Sequence, residues 1–145
     1  MYDLSKFKAV PKEYGYNNGR HDISLTITKD KMTLSAEAVA ALGDPEYIWL
    51  GIDMENRMVL ARPTNEQDKD GTKLSRKDLK VRSSTISHYA FRRTLLKAIH
   101  KYDTSIVNII LTGKPIEEVK HGVVFDYNMN VKAEPRRKIT RNGNQ

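Results

Sequence analysis

The chain has 145 residues, 39% of them hydrophobic, with a formal net charge of +7 and no cysteine. That length suits one compact domain, or two small halves around a shared core. The absence of cysteine excludes a disulfide framework or a cysteine zinc site, and no run approaches the roughly 18 apolar residues of a membrane span.

Residues 1–10 hold no apolar signal core, so the expected location is the cytoplasm. The charge is unevenly placed. Residues 1–72 hold 9 basic and 12 acidic groups, 73–101 hold 9 and 1, 102–131 hold 2 and 4, and 132–145 hold 5 and 1. The positive field comes from one internal segment and one tail. That pattern points to a phosphate-bearing partner, polymer or small molecule, with a merely solvated basic surface as the plainer alternative.

In chain order, residues 1–22 form an arm in which Lys6, Lys8 and Lys12 interleave with Phe7, Tyr14 and Tyr16. Such a mixture can stack bases, but packing of the arm on the domain is the favoured reading. The first unit, 23–63, reads as strand, helix and hairpin. Ile23, Leu25 and Ile27 alternate with Ser24, Thr26 and Thr28, the period of a strand with one buried face. Ser35 caps a helix with Glu37 in its first turn and Val39 and Leu42 as its apolar residues. Gly43, Asp44 and Pro45 stop it. Strands over 47–52 and 58–61 then flank a turn at 53–57.

Residues 64–78 lack apolar periodicity and read as an exposed linker. The second unit, 79–131, opens with a short strand at Leu79 and Val81. A helix follows Ser87, with Phe91, Leu95, Ala98, Ile99 and Tyr102 at helical spacing. A strand over 106–111, a glycine–proline turn over 113–115 and a return strand over 123–127 complete it. Thr33-Leu34-Ser35 aligns with Thr85-Ile86-Ser87 at an offset of 52, which suggests a repeat; coincidence of a common element order is the alternative. Residues 132–145 form a basic tail with little to bury.

No glycine-rich phosphate loop or nucleophile elbow is present. Of His21, His88, His100 and His121, no two have the spacing of a helical metal site. Glu117 and Glu118 read as a charged turn or edge. The expectation is a binding protein, not an enzyme, with no metal or cofactor. Its anion site is expected at Arg82, Arg92, Arg93 and Lys97, with His88 and Tyr89 nearby for stacking or polar contact. Arg93, Lys97 and Lys101 share a helix face, where like charges repel unless an anion relieves them.

The stretch Lys31-Met32-Thr33-Leu34-Ser35, followed by a helix ending in Leu42-Gly43, resembles the AbrB/MazE-type swapped-hairpin domain over residues 23–63. Lys31 stands in for the arginine of the family's Gly-Arg-Val-Val-Ile-Pro stretch, whose glycine and proline are absent here. A wider layout of Leu42-Gly43-Asp44-Pro45-Glu46-Tyr47, Ile52-Asp53, Gly113, Ile116-Glu117-Glu118 and Val124-Phe125-Asp126 resembles small proteins of Gram-positive bacteria and their phages. Together these imply an α+β fold of two strand-helix-hairpin units forming a shared sheet or a small swapped-hairpin-like barrel. The wider resemblance implies a phage-type accessory setting; with the charge concentrated in 73–101 and the DNA-reading loop lacking its glycine and proline, the expected function is a non-enzymatic protein that sequesters a phosphate-bearing nucleotide signal. An AbrB-like DNA-binding regulator or antitoxin is the alternative, and an inhibitor docking on a host protein the third option. A homo-oligomer is compatible with each.

Overall fold

Residues 3–7, 22–75, 84–100, 102–128 and 131–135 are described by the structure, a computed structural model. After a 3-10 turn at Leu4–Lys6, the elements are β1 (Ser24–Ile27), β2 (Met32–Leu34), α1 (Ala36–Ala41), β3 (Tyr47–Asp53), β4 (Met58–Thr64) and β5 (Gly71–Ser75). They continue as β6 (Ser84–Ile86), α2 (Tyr89–Ile99), β7 (Val107–Ile116), β8 (Gly122–Asp126) and β9 (Val131–Pro135). Eight strands close into an antiparallel barrel in the order β1-β2-β6-β5-β3-β4-β8-β7, with β7 returning to β1. On β7, β1 takes residues 109–112 and β9 takes 107–111, so those two strands occupy opposite edges. β8 and β9 therefore lie end to end along one edge of β7.

Strand alternation fills the barrel. Leu25, Ile27, Ile48, Leu50, Val59, Ala61, Ile109, Leu111, Val123 and Phe125 all belong to one buried cluster. An eight-stranded barrel has an interior just wide enough to be filled by its own side chains, and here these residues pack it as a core. Gly113 makes room for the Phe125 ring opposite it: a Cβ there would meet the ring at 2.7 Å.

The helices are tied to the barrel by named contacts. The Ser35 hydroxyl accepts the N–H groups of Ala38 (3.1 Å) and Ser24 (3.0 Å) and donates to the Asp22 carbonyl (2.9 Å), which joins the cap of α1 to β1. α2 buries Phe91, Leu95, Ala98 and Ile99. At its C-terminal end, Arg57 from the β3–β4 turn donates to the Ala98 carbonyl (3.3 Å) and stacks 4.9 Å from the centre of the Tyr127 ring. A cation at that end also suits the helix dipole.

The strand pairing is symmetric between halves. Exchanging β1 with β5, β2 with β6, β3 with β7 and β4 with β8 leaves the barrel order unchanged. The β3–β4 hairpin is clasped by β5 and β8, and the β7–β8 hairpin by β1 and β4. At the centre of the β2–β6 pair, Thr33 faces Thr85, the residues aligned by the offset of 52.

Several expectations are corrected. The α+β class with two strand-helix-hairpin units is overturned, because 45% of the described residues are strand and 19% helical, and the sheet is closed. Each helix follows two strands, not one. β2 and β6 have three residues each, too few to show a period. β5 lies in the stretch expected as linker, and only its Leu74 is buried, so it shows no apolar alternation. Gly113, Lys114 and Pro115 lie inside β7 and are not a turn. Gly113 donates its N–H to Ile23 on the β1 edge, and Pro115 faces the same edge beyond the last β1 pair, Ser24–Thr112. Among the described residues, its missing N–H therefore removes no ladder bond. Glu117 and Glu118 open the turn that follows.

Tyr102 lies past the end of α2 yet still packs on the core. Residues 132–135, at the head of the expected tail, belong to β9. The strand expected at Leu79 and Val81, most of the arm and residues 136–145 lie outside the described residues.

Candidate functional site

The basic face of α2 meets the turn between β1 and β2. Tyr89, Arg93 and Lys97 follow at four-residue spacing and are all exposed. Tyr89 is 77% exposed, and the Arg93 guanidinium sits 5.4 Å from the centre of its ring. His88 is the N-cap: its Nδ1 accepts the Phe91 N–H at 3.2 Å, and its ring lies 5.8 Å from that of Phe91. That acceptor role places the ring proton on Nε2.

Arg92 has a different environment. Its Nη2 donates to the carbonyl of Thr28 and, at 2.7 Å, to that of Lys29. Among the described residues its buried Nε has no hydrogen-bond partner. The side chain thus ties α2 to the β1–β2 turn and brings Lys29 and Lys31 beside the helix. These two lysines are the site residues that sequence reasoning leaves out. Lys31 enters it only through the family resemblance, and Lys29 not at all, because both stand about sixty residues from α2 in the chain. The one available signal was the turn itself, with Lys29 and Lys31 flanking Asp30. Arg82 lies outside the described residues.

Two shallow grooves meet here. One, of about 560 Å³, runs along α2 past Tyr89, Arg93, Leu96, Lys97 and His100. The other, of about 390 Å³, lies between the β1–β2 turn and the β6–α2 junction and is lined by Lys29, Asp30, Lys31, Thr85, Ser87 and His88. Tyr89 and Arg92 belong to both. Among the described residues, none of Lys29, Lys31, Arg93 and Lys97 forms an ion pair. Lys73, on β5, does, at 3.7 Å from Glu46. The site is therefore a run of cations that outnumber the one carboxylate among them, Asp30, with an exposed aromatic between its two arms.

Among the described residues no group of histidine, aspartate and glutamate is placed to hold a metal, and no helix is long and apolar enough to cross a membrane. Comparison with protein-family models, with curated proteins and with solved structures gave no match to this chain.

Proposed function

We propose that the protein binds nucleic acid through its phosphate backbone, along the open cationic track made by α2 and the β1–β2 turn. The observation that carries this reading is the set Lys29, Lys31, Arg93 and Lys97, unpaired and lining two grooves that join at Tyr89 and Arg92. Cations without carboxylate partners repel one another, and a polyanion removes that cost while releasing its own counterions. A sequestered mononucleotide calls instead for a site that buries most of the ligand, roughly 70–90% of its surface. Both grooves are shallow, and the barrel interior is filled by side chains.

The test is a ligand panel measured by equilibrium binding at two salt concentrations, with duplex DNA, single-stranded DNA and mono- and cyclic nucleotides. Nucleic acid should bind, with affinity falling steeply as salt rises. Tight nucleotide binding with a shallow salt response would restore the sequestration reading. A blank across the panel would favour docking on a protein.

A further inference from the structure

Resting on that nucleic-acid reading, we infer that the ligand is single-stranded and that Tyr89 is the residue on which one of its bases stacks. Tyr89 contributes little to the fold: its ring is outside the core cluster and is 77% exposed. Among the described residues its one ring contact is Arg93, an exposed cation four residues on. The ring therefore presents stacking surface to solvent at the junction of two cationic grooves, with Lys29 and Lys31 on one side and Lys97 on the other.

A groove that tracks the phosphates, interrupted by an aromatic that receives a base, is the physical pattern of single-strand binding, where base–aromatic stacking does not depend on sequence. In a duplex both faces of each base are already covered by its neighbours. Tyr89 could stack there only after a base step had been opened, at a cost of a few kcal/mol per step. The cations alone would not distinguish the two forms; the exposed ring between them does.

The experiment is fluorescence anisotropy with the full chain, using a labelled single strand of about 12 nucleotides and the duplex of the same sequence. Wild type is compared with Tyr89→Leu and Tyr89→Phe, and melting temperatures are recorded in parallel. Single strand should bind more tightly than duplex. Tyr89→Leu should weaken the single strand roughly ten- to a hundredfold and the duplex several-fold less, with the melting temperature unchanged. Tyr89→Phe, which keeps the ring, should bind like wild type. Duplex binding as tight as single strand, or an unaltered affinity in Tyr89→Leu, overturns the inference and leaves the nucleic-acid reading standing. So does equal loss in the leucine and phenylalanine variants, which would mark a hydroxyl contact and not stacking. If neither oligonucleotide binds wild type, both readings fall.

Discussion

At the scale of single residues, neighbours on one helix do different work. Arg92 and Arg93 read alike in sequence, and both belong to the expected anion site. The structure puts Arg92 against two carbonyls of a turn more than sixty residues away and leaves Arg93 in solvent over Tyr89. No local pattern could separate them, because the partner of Arg92 is brought there only by the closed barrel. Arg92→Ala should therefore lower stability by about 1.5–3 kcal/mol, the range for a hydrogen-bonded charged group. Arg93→Ala should stay within about 0.5 kcal/mol of wild type. Urea unfolding of both variants measures the difference; equal effects would refute the division of roles.

Tyr127 gives a residue-scale test with pH. Burial pushes its hydroxyl above the ordinary value of 10.0, Arg57 pulls it down and Asp53 raises it further. Because the folded state holds this proton more tightly than the unfolded chain does, its contribution is intact below pH 10 and is lost as pH climbs through the raised value. Wild type should lose stability above pH 10 more steeply than Tyr127→Phe, as followed by thermal melts across that range.

Among the elements, the sequence reveals long, alternating segments and hides short ones. β3 and β4 have seven residues each, and their buried positions alternate as the letters suggest. The stripe of α2 is legible for the same reason. β2, β5 and β6 are not, since a three-residue strand or one with a single buried side chain has no readable period. β7 misleads in another way: Gly113 and Pro115 signal a turn, but one clears space for Phe125 and the other lies beyond the last described β1 pair. Gly113→Ala should destabilise by about 1–3 kcal/mol through overpacking against that ring, read as a lowered melting temperature. A neutral result would mean that Phe125 moves aside freely. Of the candidate site, the α2 face was readable from spacing, while the Lys29–Lys31 turn joins it only through tertiary contact.

For the molecule as a whole, the pairing pattern predicts cooperativity. Each hairpin is held between two strands of the other half, so neither half keeps its sheet without the other. Thermal unfolding should be a single transition, with the fluorescence of Trp49 in the first half coinciding with circular dichroism of the whole chain. Two separate transitions would contradict the clasped arrangement. The same closure concentrates the charge. Barrel and helices bring cations from residues 29–31 and 89–97 into one track, although the first of these segments lies in a part of the chain that is acidic overall.

The most direct measurement of the central claim is the salt dependence of oligonucleotide binding for wild type and for the double variant Lys31→Ala/Lys97→Ala. Each phosphate contact contributes about 0.7 to 0.9 to the slope of log K against log salt. The account predicts weaker binding and a slope shallower by about 1.4–1.8, the equivalent of two contacts, with the melting temperature unchanged. An unaltered slope and affinity would contradict it and place the nucleic acid, if bound at all, on another face of the barrel.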